Sequence, residues 1–510
     1  MLNQIGFLKK ILFILSAFFT FLVFNCTPPS YPNACELGSK TFVNNFILTT
    51  VGLKRDSYCG IVNSATAAAN AAAANGLSFT SFSFTDTANG LSKTYTGTIT
   101  GTNIAIDIPY GKLTTAIPTI ATNAAVIQAG TTTVVSGVTA LDFTNPVTFT
   151  LISSNGSKSV YTVTAYAITP VADTGQTACF GTGVQWNAPG SCSGFAATFP
   201  NQDGELQNFP NAKGIQPLTT NSAYPNDPIN RDILKGIVWK TCQEGQTGLA
   251  CTGTATIGLT QSAAATLCNN LNNANSGAGY AGLKNWRLPD IQELSQLMEF
   301  NGGTVNTNYW NASLFPNPPS SASAGGSYAW SSSVIAGGAS AMTHQHEYIQ
   351  ALAVGTGTNQ RAHCVSGLTS PTLDMVDNGD GTILDKRTKL IWQKCANGLN
   401  NDATCSGTLA LTNWSNSLLY CKNLTLAGKS WRLPNAVEFI TLIDVNIATT
   451  PRINATLFPN FGSSAQYDTS SANQANLAYT HVFMASSTGF FGISGKGTGN
   501  TYNARCVAGP

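Results

Sequence analysis

Thirteen cysteines carry most of the chemistry open to this 510-residue sequence. They are Cys26, then Cys35 and Cys59, then Cys179 and Cys192, then Cys242, Cys251, Cys268 and Cys364, and last Cys395, Cys405, Cys421 and Cys506. A cysteine can be a nucleophile, a metal ligand, a lipid acceptor or half of a disulfide, and spacing separates these roles. Structural metal sites use close pairs such as Cys-x-x-Cys, and none occurs. With Cys26 set aside an even twelve remain, in local sets, which in an exported chain reads as a disulfide framework. His344, His346 and Glu347 form a His-x-His-Glu cluster, but the chain offers only His481 in a comparable place and no third ligand. A solvent-facing strand accounts for that cluster. Asp377-Asn378-Gly379-Asp380-Gly381 invites a calcium loop, yet the alternating ligand register and distal glutamate are missing. A hairpin turn before a strand from Thr382 to Trp392 is the simpler account.

Two further carboxylates, Glu293 and Glu438, each stand three residues after an Asp or Asn, Asp290 and Asn435, that follows a proline. That is the spacing of a helix capping box, in which the carboxylate returns to the backbone of the cap. They cap. No Gly-x-Ser-x-Gly, phosphate loop or His-Glu-x-x-His occurs, so the expectation is no catalytic residue, no metal and no cofactor. Charged residues make up only 9% of the chain, 25 basic against 23 acidic, for a net charge of +2. Nucleic-acid binding needs clustered Lys and Arg and is excluded as a function class. The hydrophobic share of 43% argues for packed cores rather than disorder.

The elements that position these residues begin with a leader. Lys9 and Lys10 precede an apolar run from Ile11 to Phe24, too short for a comfortable membrane span, which reads as a signal peptide over 1–25. Cys26 follows at once, before Thr27-Pro28-Pro29, and this resembles a bacterial lipobox whose cysteine takes the lipid. Asn25 departs from the usual small residue, making the lipobox a relaxed one of the spirochaete type. The expected location is outer-membrane attachment through lipid alone, compatible with display at the cell surface.

Residues 26–75 read as a tether with a short segment bracketed by Cys35 and Cys59. Over 76–170 the pattern changes to period two: Ile104, Ile106, Ile108; Val147, Phe149, Leu151; Tyr161, Val163, Ala165. Such alternation predicts half-buried strands, with Asn155-Gly156 as a hairpin turn between two of them. The stretch Asp142 to Val147 followed by Asn155-Gly156 and Tyr161-Thr162-Val163 resembles the Ig-like modules of bacterial surface proteins, which implies an all-β sandwich serving as a spacer.

The rest of the chain is duplicated. Ile237-Val238-Trp239-Lys240-Thr241-Cys242 matches Leu390-Ile391-Trp392-Gln393-Lys394-Cys395; Cys251 matches Cys405 and Cys268 matches Cys421. Trp286-Arg287-Leu288-Pro289 matches Trp431-Arg432-Leu433-Pro434, Leu314-Phe315-Pro316 matches Leu457-Phe458-Pro459, and Gly-Thr-Gly precedes both Cys364 and Cys506 by nine residues. The copies are placed at 171–367 and 368–510. The second, from Asp377-Asn378-Gly379-Asp380-Gly381-Thr382 through Trp431-Arg432-Leu433-Pro434 to Arg505-Cys506-Val507, resembles the C-terminal domain family of the Legionella collagen-like protein. The first resembles it through Asp173-Thr174-Gly175-Gln176-Thr177 and Cys179, but has Arg361-Ala362-His363 before Cys364 and lacks the Asn-Gly-Asp-Gly turn.

Trp414, Leu418, Cys421 and Leu424 share a helical face, which points Cys421 into a core with Cys506 of the last strand as its best partner. By the same reasoning Cys268 pairs with Cys364, and the near pairs are Cys242–Cys251 and Cys395–Cys405. This cysteine plan, with the Trp-Arg-Leu-Pro motif and terminal Arg-Cys-Val, is similar to the C-type-lectin-like fold and to formylglycine-generating enzymes that share it. The expected class is therefore two tandem α+β C-type-lectin-like domains behind the sandwich. Trp239, Trp286, Trp392 and Trp431 are expected in the core rather than as sugar platforms, and Arg287 and Arg432 to brace a carboxylate or backbone carbonyls. Ile291, Leu294, Leu297 and Met298 are expected on the buried face of one helix. The family resemblance implies a glycan or matrix-protein ligand and an adhesin, although no basic cluster suits a sulfated polymer. A structural envelope protein is the alternative. A formylglycine-type enzyme is a third reading, opposed by the pairing of every repeat cysteine.

Overall fold

The computed structural model describes residues 76–180, 192–194, 197–300, 310–317, 328–345, 350–357, 360–449, 451–462, 465–472, 479–484, 491–495 and 501–509. The leader, Cys26, Cys35, Cys59, His346 and Glu347 lie outside the described residues, as do the side chains of His344 and His481.

From Phe79 to Ile168 two sheets share one core. The larger runs Thr98–Thr100, Asn103–Pro109, Lys158–Ile168, Val147–Ile152, Val126–Ala129, Thr132–Thr133; the smaller runs Tyr95–Thr96, Phe79–Phe84, Thr119–Thr122. Period two decides which side chains turn inward. Ile104, Ile106, Ile108, Phe149, Leu151, Tyr161 and Val163 are buried, while Val147 and Ala165 are half-buried at the edge of the same core. Phe79 and Phe82 both face in despite odd spacing, because the pairing register shifts between Phe79 and Ser81. Phe79 meets the Tyr161 ring edge-on at 4.8 Å, tying the sheets together. Gly156, at φ +83°, closes the hairpin at the Asn155-Gly156 turn.

Each copy that follows has a small sheet, a helix bridged to it, a short capped helix and a three-stranded sheet. In the first the order is Thr219–Asn221, Tyr224–Asp232, Ile237–Lys240, Val365–Ser366, Trp286–Arg287; in the second it is Met375–Asp377, Thr382–Asp385, Ile391–Gln393, Val507–Ala508. Residues 378–381 are the turn of the hairpin joining Met375–Asp377 to Thr382–Asp385. The helices Gln261–Asn270 and Trp414–Asn423 start on Thr260 and Asn413, whose side chains accept from the third residue beyond. Trp414, Ser417, Leu418 and Cys421 form the buried stripe of the second helix, while Leu424 caps it in extended conformation. Disulfides join Cys268–Cys364 and Cys421–Cys506, each with Cα atoms 5.4 Å apart, and Cys242–Cys251 and Cys395–Cys405, each at 5.1 Å. Cys179 bridges Cys192.

The second helix of the first copy is shorter than its apolar pattern. It spans Ile291–Ser295, and Leu297 and Met298 are buried just beyond it in tight turns donating to Leu294 and Ser295 carbonyls. Burial, not helix, is what the spacing reported.

The copies are packed into one body. Ile291, Leu294, Val437, Phe439 and Ile440 belong to a single core that spans both. Arg387 donates to Gln292 Oε1 and to the Thr441 carbonyl, each at 3.3 Å, and Ala336 N donates to the Val445 carbonyl at 2.8 Å. The described residues of 171–211 are shared between the copies. In the first, Ala172 N donates to Gln296 Oε1 at 3.1 Å and Phe300 N to the Thr174 carbonyl at 3.0 Å. Ala178, Phe180 and Phe199 lie in the core of the second, with Trp414, Leu418 and Trp431. Gln176 exchanges hydrogen bonds with the Ala472 backbone, and Asp203 accepts from Ser471 Oγ at 2.6 Å.

Candidate functional site

The Trp-Arg-Leu-Pro motif builds the same clasp twice. Trp286–Arg287 pairs with Val365–Ser366, Pro289 ends the strand, and Asp290 opens the short helix by accepting from Glu293 N at 2.8 Å. Glu293 Oε2 accepts from Asp290 N at 2.8 Å, completing a capping box, and Arg287 grips both carboxylate oxygens at 2.7 and 2.8 Å. Arg432 and Glu438 repeat the arrangement beside Asn435, whose side chain accepts from Glu438 N at 2.9 Å. Burial alone would raise the Glu293 carboxyl, but the Arg287 guanidinium with its hydrogen bonds, the Tyr110 hydroxyl and the Asp290 N–H together hold it below the usual range. Both glutamates are buried and saturated with donors, which suits a clamp and not a proton-transfer group.

Each clasp is covered by a ring from outside its copy. Tyr110 of the N-terminal unit donates its hydroxyl to Glu293 Oε1, and Phe209 of the 171–211 segment lies under the Arg432 guanidinium, 4.5 Å from its carbon. The copies diverge one residue before the final cysteine. Arg505 is buried, donates to the Gln393 carbonyl at 2.7 Å and sits among Phe458, Phe461 and Tyr467. His363 takes that place in the first copy, 4.6 Å from Trp310 and 5.3 Å from Phe315. Burial, then the Lys240 charge, lowers the imidazole to about 3, so it packs as a neutral ring.

An open cleft of about 560 Å³ lies between the N-terminal unit and the second copy. Tyr166 lines it at 54% exposure, on the outward phase of Lys158–Ile168, beside its register partner Asp107. The opposite wall carries Thr372, Asp374, Lys386 and Lys389. Lys389 bonds Asp107 at 2.8 Å, Lys386 bonds Asp374 at 3.2 Å, and buried Arg387 is held by Asp385 at 3.0 Å. A smaller hollow of about 140 Å³ between the copies is lined by Asp290, Ser370, Arg387 and Asp444. Among the described residues no group of three His, Cys, Asp or Glu side chains could hold a metal, and no helix is long and apolar enough to cross a membrane.

Residues 229–366 and 381–508 each match the Lcl C-terminal domain. The chain belongs to the Lcl C-terminal domain family. The sheet pair before the two Lcl copies matches, over residues 79–165, the N-terminal domain of the surface glycan-binding proteins (SGBP). No curated protein matches. One solved structure, a candidate glycoside hydrolase from Bacteroides thetaiotaomicron, aligns at 18% identity over 26% of this chain and 40% of its own, with a TM-score of 0.12, which carries no argument about fold or activity.

The first Lcl match begins at Ile229, and residues 173–179 lie outside it, with Thr174 bonded to the first copy, Gln176 bonded to the second and Ala178 packed in the second's core. Trp239, Trp286, Trp392 and Trp431 are all at most 3% exposed, with Trp286 and Trp431 donating their indole N–H to the Leu283 and Leu426 carbonyls. Leu288, Leu433 and Pro434 are buried with them. Sequence reading passed over Tyr110, Phe209 and Tyr166. Tyr166 had a signal, an aromatic in the polar phase of an alternating strand. Lys389 had one too: its counterpart in the first Lcl copy is Gly236, and both adopt positive φ, +63° and +74°.

Proposed function

We propose that this chain is an exported lipoprotein, acylated at Cys26 and held at the outer membrane, that binds glycans or extracellular-matrix components and catalyses nothing. One observation carries the reading: a surface-glycan-binding-protein N-terminal match and two Lcl copies occur on one chain. Domains at 76–170, 171–367 and 368–510, the first Ig-like and the others C-type-lectin-like, are the division we adopt. The helix-to-last-strand bridges Cys268–Cys364 and Cys421–Cys506 support the lectin-like assignment, and the shared core of two sheets supports the Ig-like one. A non-enzymatic role is favoured by the clasps, whose carboxylates are fully engaged, and by the bridging of every cysteine among the described residues.

The test is an array of oligosaccharides and purified matrix proteins probed with the leader-free chain. Saturable binding to a glycan or matrix protein is expected. Silence across both halves of the array would leave a structural envelope protein as the better reading. Metabolic labelling with a fatty acid, lost on Cys26→Ser, checks the anchor.

A further inference from the structure

We infer that the cleft between the N-terminal unit and the second Lcl copy is a glycan site, that Tyr166 is its stacking platform, and that its ligand is a neutral polysaccharide rather than a sulfated one. This rests on the glycan-binding reading and adds where the site is and what class of sugar it takes.

The cleft has the size of ordinary ligand sites and lies where such sites favour, at a junction between domains. Tyr166 offers a ring more than half exposed on the outer face of its strand, turned into the cleft. The C–H face of a pyranose packs on such a ring, and the sugar's edge then needs fixed donors and acceptors. Asp107 and Lys389 supply both beside the ring, and Asp374 with Lys386 supply both farther along the wall. A hydroxyl is donor and acceptor at once, so one sugar hydroxyl can bridge the two members of an ion pair without breaking it. A sulfate cannot. It has acceptors only, so even when it takes a spare lysine N–H it lies against that lysine's carboxylate partner, whose repulsion offsets the attraction. Every cation in the cleft, Lys386, Arg387 and Lys389, already has a carboxylate partner, so the cleft is charge-compensated and suits an uncharged ligand.

Lys389 sharpens the case. It occupies a left-handed backbone position, φ +63°, that the first copy fills with Gly236. A side chain is disfavoured there, and its exposed ion pair with Asp107 contributes little to stability. A lysine in a backbone conformation that disfavours side chains, with its ammonium group in a cleft, fits a ligand contact better than a fold contact.

The experiment uses the leader-free chain, isothermal titration, and six probes: cello-, xylo-, manno-, malto- and chito-hexaose and a heparin hexasaccharide. At least one neutral hexaose is expected to bind, and Tyr166→Ala to weaken it about tenfold or more, the loss typical of a central aromatic anchor. Tyr166→Trp should retain binding. Lys389→Gly should weaken the same hexaose while leaving the melting temperature level or higher, an outcome that a structural role for the lysine would not give. Unchanged affinity in Tyr166→Ala and Lys389→Gly, with wild-type binding intact, overturns this site and leaves the glycan-binding reading standing. Binding of heparin alone overturns the neutral class. No binding of any probe by the wild type counts against both readings together.

Discussion

Replacing Cys421 and Cys506 together by alanine should destabilise the chain far more than replacing Cys395 and Cys405. The first bridge closes a loop with a sequence separation of 85 residues and the second one of 10. The chain-entropy relation gives about 4.6 kcal/mol for the long loop and about 2.7 kcal/mol for the short one, a difference of about 2 kcal/mol. Packing widens the gap, since Cys421 and Cys506 sit in one apolar cluster with Trp414, Leu418 and Trp431. Alanine is chosen over serine because a buried hydroxyl would add a desolvation cost of its own. The assay is urea unfolding of the oxidised chains followed by tryptophan fluorescence, with midpoints compared at a common slope. A short-loop variant as damaging as the long-loop one would refute the reasoning. So would mass mapping that finds Cys421 and Cys506 as thiols in the wild type.

Three further outcomes are expected. Arg432→Met leaves the Glu438 carboxylate buried without its cation and should cost about 3–5 kcal/mol, whereas Arg432→Met with Glu438→Leu should cost less than Arg432→Met alone, read by urea unfolding. Tyr110→Phe removes the hydroxyl that the N-terminal unit donates to Glu293, a charged acceptor, for a loss of about 1.5–3 kcal/mol and earlier proteolytic release of residues 76–170. The third concerns pH. Asp203, Asp290 and Asp468 are each pushed up to about 7 and Asp173 to about 6, by burial first and, for Asp203 and Asp290, a neighbouring carboxylate next. Unfolded, such groups titrate near 3.9. Between about pH 4 and 7 the folded chain therefore holds protons that the unfolded chain has released, and stability falls as pH rises through that window. The melting temperature should be higher at pH 5 than at pH 8, and Asp468→Asn should flatten part of the slope.

What could be read from sequence was what repeats or alternates. Ile104, Ile106 and Ile108 announced a strand because period two leaves no other way to bury all three. The clasps were legible from Asp290 and Glu293, since a cap and its third residue form a local interaction that needs no knowledge of the fold. Tyr110, Phe209 and the packing of Phe180 and Phe199 on the second copy were hidden for the opposite reason. Tyr110 touches Glu293 across 183 residues and Gln176 touches Ala472 across 296, and no spacing rule reaches so far. The helix at Ile291 shows the same limit at short range. Its apolar spacing specified burial of Leu297 and Met298, while the hydrogen bonds that end the helix depend on what packs beneath it.

The long-range contacts change what counts as a domain in this chain. A fragment starting at residue 368 contains the whole second Lcl match and all four of its cysteines, so sequence alone would predict an independent fold. It lacks Phe180 and Phe199, which fill the cluster around Trp414, and Phe209, which covers Arg432. Loss of one buried phenylalanine typically costs about 3–5 kcal/mol, and here two leave one cluster, an amount comparable to the whole stability of an ordinary domain. The fragment 368–510 should therefore be aggregated or molten, with exposed tryptophan fluorescence and binding of a hydrophobic dye. Adding residues 171–211 as a separate peptide should restore a cooperative transition, and Phe199→Ala in the peptide should weaken the rescue. A fragment 368–510 that melts cooperatively by itself would mean that the N-terminal segment merely lies on a finished surface. The rescue also bears on ligand binding. Two Lcl copies sharing one core cannot flex to reach two separate ligands, so any avidity gain depends on the spacing of sites along one rigid body. The cleft between the N-terminal unit and the second copy takes walls from both, so if it is the proposed glycan site, the packing between those units is part of that site.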